Sequence, residues 1–322
     1  SNAAISHLVK MGENKTTRLF PIASLTKNAD GKFLAPIYDM HSHGAIGFGD
    51  YKSSLKRANL LKIALQYSQS FNGIIFSHPL NDEIAKFGMM HEGVISTKIG
   101  LRGIPTLAET IQISRDLQIL SYTDGKLHIP FISSKESVEL IKKAKVQGLN
   151  VSCSVGLPNL IFDESHLESF ENNLKIFPPI RTKEDQQALR EGLLDGTIDM
   201  ISSMHEPIDI EHKKLEFEHS APGTIGLESC FGAVNKVLVK DNGMSLKSLI
   251  EKLTVNPRKI MNINSDLFAV GEKAQITIFD PNEKWTFSEK NIYSKSSNSP
   301  FIGHDLVGKI KYVFSKDSFF TL

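Results

Sequence analysis

Cysteine is scarce in this sequence, long apolar runs are missing, and neither sign of charge is in excess. The two cysteines among 322 residues, Cys153 and Cys230, make no spacing motif. They read as ordinary small core residues of a reducing compartment. Apolar runs such as Ile74-Ile75-Phe76 are far too short to span a bilayer, which argues against a membrane protein. Lys and Arg number 37 against 36 Asp and Glu. No basic stripe therefore points to nucleic acid, and no acidic block to a disordered tail. The first residues lack a basic region followed by an apolar core, so no secretory signal is read there. Internal repeats and low-complexity segments are also missing. The expectation is a soluble cytoplasmic protein.

Hydrophobic residues make up 40% of the chain, enough for one large domain with a small satellite. Ser1-Asn2-Ala3 reads as an expression remnant, and Ala4-Ile5-Ser6-His7-Leu8-Val9 as the back half of an amphipathic helix. Short β-rich runs then alternate with helical patterns, the signature of βα units and a parallel sheet. Strands are expected at 18–23, 45–48, 73–78, 126–132, 150–155 and 199–203. Helices are expected at 53–70, at 106–120 with the face Leu107, Ile111 and Leu117, and at 135–147 with Val138, Leu140, Ile141 and Ala144. Thr182 followed by Asp185 marks a capping box at the start of another helix. Six βα units in a row favour a barrel over an open sheet. From about Asp266 the texture becomes β-like, with strands expected at 274–280, ending before Pro281, and at 309–314. The expected division is an α/β barrel over 1–264 and a small β-sandwich appendage over 265–322. The serine-rich stretch 294–300 reads as a loop.

Several stretches resemble the dihydroorotases of the amidohydrolase superfamily. They are Met89-Met90-His91-Glu92-Gly93 running on to Arg102-Gly103-Ile104-Pro105 and Glu109, and Ile132-Ser133-Ser134-Lys135-Glu136-Ser137-Val138, similar to the family's "ISTKESV". Pro178-Pro179-Ile180-Arg181, Glu191-Gly192-Leu193-Leu194-Asp195-Gly196-Thr197-Ile198-Asp199 and Pro222-Gly223-Thr224-Ile225-Gly226-Leu227-Glu228 continue the series in family order. Leu253-Thr254-Val255-Asn256-Pro257, Ile278-Phe279-Asp280-Pro281 and Ser299-Pro300-Phe301-Ile302-Gly303 complete it. The resemblance implies a (β/α)8 TIM-type barrel that keeps its chemistry at the C-terminal mouth. It implies zinc there, activating water to open the cyclic amide of dihydroorotate to N-carbamoyl-aspartate, with an Asp moving the proton.

Position by position, the implied groups are mostly replaced. Asp39-Met40-His41-Ser42-His43 has the form of a first-strand metal motif, but too little chain separates it from His78 for three further βα units. Aligned through Ala45-Ile46-Gly47-Phe48, it resembles the family's "YDM…GAVAFSD" helix and fourth strand. The sequence is thus expected to open before about the third βα unit, and the family's metal-binding histidine pair is not found in it. Asp50 stands at an Asp-Asp-Gly step, with Tyr51 and Lys52 replacing the other two positions, and is either a vestigial metal ligand or a loop residue. His78 matches the histidine of a strand-end "HxED" and is the best-placed metal ligand, although a lone histidine is more often structural. Asn159 stands in the "VTPHHL" region, where no imidazole remains. Met204 takes the place of the catalytic Asp of "TDHAPH", and a thioether neither accepts that proton nor binds a hard metal well. Ile208 replaces a histidine near the substrate, and Phe177 the Asn of "NPPLR". Glu206 beside His205 has the makings of an acid/base pair, and His91, Glu92, Arg102 and Glu109 of a loop organiser over the mouth.

Two functions follow from the resemblance. One is an inactive dihydroorotase homologue without a cofactor, acting as a structural partner of aspartate transcarbamoylase and forming a homo-oligomer. The other is an active metal-dependent cyclic amidohydrolase, with zinc on His78 and Asp50, acting on dihydroorotate or a related cyclic amide.

Overall fold

The structure is a computed structural model describing residues 1–13, 15–264, 269–271, 274–315 and 318–321. Helix α1, Asn2–Glu13, opens the chain and is followed by the short strand β1, Ile22–Ala23. Helix α2, Ile37–Ser42, then leads into β2, Gly47–Phe48. Helix α3, Ala58–Ser68, buries Leu60, Leu61, Ala64 and Leu65, one stripe at helical spacing, and leads through Asn72 in the left-handed conformation to β3, Ile75–Phe76. Strands β4, Met90–His91, and β5, Gly103–Ile104, flank helix α4, Val94–Ile99, and pair as a separate two-stranded parallel sheet. Helix α5, Leu107–Thr123, precedes β6, Leu127–Ile129, and α6, Lys135–Val146, precedes β7, Val151–Gly156. The short α7, Leu157–Ile161, and then α8, Lys183–Leu194, lead to β8, Met200–Ser202.

The main sheet runs β1-β2-β3-β6-β7-β8 in chain order, with every neighbouring pair parallel. This is the curled wall of an α/β TIM-type barrel, helices outside and strand C-termini at one mouth. All six strands fall within or beside the expected segments, each shorter than expected or shifted by a residue. The core between sheet and helices is fully buried around Phe48, Leu61, Leu65, Ile75, Leu127, Cys153 and Val155. Each such aliphatic or aromatic side chain contributes about 1.5–3 kcal/mol by leaving water. Among the described residues no helix is long and apolar enough to cross a membrane.

Two expectations are corrected. The inward face of α5 is not Leu107, Ile111 and Leu117, because Leu107 and Ile111 are 57% and 44% exposed. It is Ala108, Ile113, Leu117 and Leu120 together with the polar Glu109, Gln112 and Asp116. These polar groups turn inward because they find partners there: Ser77 Oγ donates to Asp116 at 2.6 Å, and Glu109 collects serine donors from the start of α6. The second concerns β9, Gln275–Thr286, which continues through Pro281 rather than ending before it. Strand β9 lies at one edge of the antiparallel sheet β11-β10-β9, formed with β10, Asp305–Ser315, and β11, Ser318–Thr321. An edge strand tolerates a proline that donates nothing to the ladder, and the pairing is irregular beside it, between Val307 and Lys309. The expected start of the appendage, at 265–266, lies outside the described residues. The Thr182–Asp185 capping box is present, with Asp185 N–H donating to Thr182 Oγ1 at 3.1 Å and Thr182 N–H donating to Asp185 at 3.2 Å.

Candidate active site

In a parallel barrel the residues just past the strand ends share one mouth. Here those segments are Asp50-Tyr51-Lys52 after β2, Ser77-His78 after β3, Asn159 on α7 after β7, and Met204-His205-Glu206 after β8. Asp50 is buried with its carboxylate in use. One oxygen accepts the Thr26 N–H at 2.9 Å and the other accepts the Thr26 hydroxyl at 2.5 Å. Tyr51 is left-handed, with φ 54°. The turn sends the Tyr51 hydroxyl to Glu206 Oε1 at 3.0 Å and the Lys52 ammonium onto Glu206 Oε2. Glu206 is itself strapped down, its N–H donating to Thr224 O at 2.7 Å and its carbonyl accepting Asn298 Nδ2 at 3.0 Å. Partial burial, and then the Glu206 carboxylate, push the Tyr51 phenol above its ordinary range.

His78 is buried, and its Nδ1 has no hydrogen-bond partner. Burial, with the Lys52 charge second, pushes its imidazole down to about 4, so it is neutral near pH 7. Asn159 donates through Nδ2 to Pro179 O at 3.0 Å, while its buried Oδ1 has no partner. Met204 is also left-handed, with φ 49°. Its sulfur lies 1.9 Å, and Asn159 Oδ1 2.9 Å, from the point where a Cβ on Gly156 would stand. Gly156 is therefore the close-approach residue that lets the thioether fill this part of the mouth.

His205 does not pair with Glu206. Its Nδ1 faces the backbone N–H groups of Gly226 and Leu227 at 3.4 and 3.3 Å, and Glu228 lies 4.0 Å away. Adjacent residues in extended chain point to opposite sides, so Glu206 turns to Lys52 instead. Asp39, His41 and His43 lie on α2 and at its C-terminus, not on a strand; both histidines are exposed, Asp39 is half-buried, and His43 Nδ1 meets Asp39 O at 2.7 Å. Phe177 packs with Ala85, Ile104 and Ala108, and the Ile208 N–H donates to Asn298 Oδ1 at 3.2 Å.

Behind the mouth lies a buried polar network. Arg181 donates through Nε to Ser133 Oγ at 2.7 Å, through Nη1 to His91 Nδ1 at 3.0 Å and through Nη2 to Glu109 at 3.3 Å. Glu109 also accepts from the Ser133 N–H at 2.9 Å, the Ser134 N–H at 3.2 Å and the Ser137 hydroxyl at 2.5 Å. Burial, then the Arg181 charge, pushes the His91 imidazole down to about 4. Of the anticipated loop organisers, His91 and Glu109 join this network; Arg102 instead lies over the Phe87 ring, 5.4 Å from its centroid.

The donor set of the mouth does not fit zinc, which takes three or four imidazole, thiolate or carboxylate ligands. Among the described residues no group of three His, Cys, Asp or Glu is placed to hold a metal ion. His78 Nδ1 offers one free donor, Asp50 is engaged by Thr26, and Lys52 brings a positive charge. Sequence reading missed Lys52 as the partner of Glu206 and Asn298 as the residue holding the Glu206 backbone. Asn298 carried a signal, since Ser299-Pro300 beside it lies in a family-like stretch.

A Dihydro-orotase-like family model matches residues 7–137, and an Amidohydrolase family model matches 126–317. A dihydroorotase of Syntrophus aciditrophicus is 38% identical over 303 residues, covering 94% of this chain and 71% of its own length. One of Caldicellulosiruptor saccharolyticus is 40% identical over 295 residues, covering 92% and 69%. Among solved structures, the L-hydantoinase (dihydropyrimidinase) of Arthrobacter aurescens superposes with a TM-score of 0.85 at 22% identity, over 99% of this chain and 73% of that one. The dihydropyrimidinase of Brevibacillus agri NCHU1002 gives a TM-score of 0.74 at 20% identity, over 88% and 72%. At these identities the solved structures speak for the fold alone.

Proposed function

The chain belongs to the dihydroorotase family of the amidohydrolases, and we propose that it is an inactive member serving pyrimidine biosynthesis as a structural partner of aspartate transcarbamoylase. The observation that carries this reading is the Lys52 ammonium seated on Glu206 at the mouth, with Met204 in place of the proton-moving Asp. A divalent ion about 4 Å from an ammonium meets repulsion on the order of 8 kcal/mol at an effective dielectric of 20. A thioether has no proton-accepting lone pair of useful basicity, and the Asn159 amide cannot replace an imidazole. The family scaffold around these positions persists, which suits a role in binding another protein. Homo-oligomerisation and a cytoplasmic location belong to the same proposal.

The alternative, a metal-dependent cyclic amidohydrolase acting on dihydroorotate or a related cyclic amide, draws its support from the unpartnered His78 Nδ1. Asp50, its second implied ligand, is committed to Thr26. The test combines elemental mass spectrometry, dihydroorotate turnover with zinc added, and retention of purified aspartate transcarbamoylase by the immobilised chain. The expected result is no stoichiometric metal, no turnover and retention of the partner. Turnover accompanied by bound metal overturns the inactive reading, and failure to retain the transcarbamoylase overturns the partner role.

A further inference from the structure

In the order β1-β2-β3-β6-β7-β8, strands β2 and β8 are separated by three others. At about 4.8 Å between neighbours they would stand about 19 Å apart in a flat sheet. Yet Lys52, just past β2, touches Glu206, just past β8, across 154 residues of sequence. The ion pair is therefore a chord across the mouth of the curled sheet. It is also more than a surface contact, because the two side chains are only 19% and 25% exposed. The Glu206 carboxylate receives a second donor from the Tyr51 hydroxyl, and its backbone is fixed by Thr224 and Asn298. The loops at both ends of the chord are thus held ready for it: the left-handed Tyr51 turns one, and Asn298, which also donates to Gly223 O at 3.1 Å, secures the other.

We propose that Lys52 is the resident cation of this mouth: its ammonium clasps the β2 and β8 loops through Glu206, as a bridging metal ion would, and bars a divalent ion from the site. This rests on the metal-free reading of the mouth and adds to it what has taken the metal's structural place. The clasp is a positioning device, so its signature is coupled stability and a conditional response to cations.

The test compares melting temperatures of the full chain as wild type, Lys52→Met, Lys52→Arg, Glu206→Gln and Lys52→Met/Glu206→Gln. Each is measured in chelator and then with excess zinc or magnesium. Lys52→Met and Glu206→Gln are each expected to lower Tm by about 2–6 °C. The double variant is expected to lose no more than the worse single variant, and Lys52→Arg to stay near wild type. With its carboxylate uncovered, Lys52→Met is expected to regain at least half of its loss when a divalent ion is added; wild type and the double variant are expected not to respond. A wild-type Tm in Lys52→Met, additive losses in the double variant, or no divalent response in Lys52→Met each overturns the clasp while leaving the metal-free reading standing. Stoichiometric zinc in wild type overturns both. Should Lys52→Met not fold, Glu206→Gln, which keeps the side-chain shape, carries the test, and a wild-type Tm there overturns the proposal.

Discussion

Removing both ends of the buried Arg181–Glu109 pair should cost clearly less than the sum of the losses from removing each end alone. The two side chains are each 1% exposed. Breaking such a pair from one side leaves an uncompensated charge and typically costs about 3–5 kcal/mol. The two ends are not equivalent here. Without Arg181, Glu109 still accepts from Ser133, Ser134 and Ser137, so Arg181→Met belongs near the lower end, about 3 kcal/mol. Without the carboxylate, Arg181 keeps the Ser133 hydroxyl, His91 Nδ1 and the Ile104 carbonyl but no anion, and a guanidinium cannot shed its proton. Glu109→Gln also turns an NH2 toward serine donors, so it belongs near about 5 kcal/mol. The double variant Arg181→Met/Glu109→Gln should fall at least about 2 kcal/mol short of the sum. Chemical denaturation followed by far-UV circular dichroism, with calorimetric Tm as a second probe, measures all four corners of the cycle. Additive losses would refute the reasoning, since they would mean that the two residues stabilise the fold independently.

The buried histidines make a pH prediction. His78 and His128 are pushed down to about 4 and about 3 by burial first and by nearby lysines second. Their folded pKa values lie below the unfolded value near 6.5, so the unfolded chain binds more protons between the two. Their contribution to stability is therefore intact above about pH 6.5 and is lost as pH falls toward 4. From pH 7 to pH 5 each costs about 2 kcal/mol, which calorimetry at stepped pH should read as a Tm falling by roughly 6 °C; a flat profile would contradict it. Gly226→Ala should cost about 1–3 kcal/mol by overpacking, because its Cβ would stand 2.3 Å from the Ser203 carbonyl oxygen. A thermal shift of less than about 1 °C in that variant would show that the Ser203 loop yields freely.

How much of this was legible in the sequence depended on the range over which each feature is decided. The six strands were readable because short apolar β-rich runs bury on both faces of a parallel sheet and need no partner to be recognised. The face of α5 was misread because Glu109, Gln112 and Asp116 turn inward, so the hydrophobic period points the wrong way. Nothing local to α5 announces that its inward partners are Ser77 on the segment after β3 and serines at the head of α6. The Asp39–His43 stretch has the spacing of a strand motif, yet it forms a helix that packs Met40 inward and leaves both histidines at the surface. Glu206 was matched with its neighbour His205, when its true partner lies 154 residues away in the chain.

On the inactive reading proposed above, the same distinction explains how a family scaffold persists around a changed centre. Asp50 is satisfied by Thr26, Glu109 by Arg181 and three serines, Glu206 by Lys52 and Tyr51, and the Asn159 amide nitrogen by Pro179. Each of these polar groups is completed by the protein itself, so none of them requires a metal for the mouth to hold its shape. A site whose carboxylates waited for a cation would leave them uncompensated when empty, at a cost of several kcal/mol each. Beside the completed groups stand the neutral, unpartnered His78 Nδ1 and Asn159 Oδ1, each costing about 1–3 kcal/mol, and Glu228 Oε2, which has no hydrogen-bond partner and lies 4.0 Å from His205 Nδ1. Asp50, Glu109, Glu206 and Lys52 are matched internally, and the burden left over is small enough for the barrel core to carry.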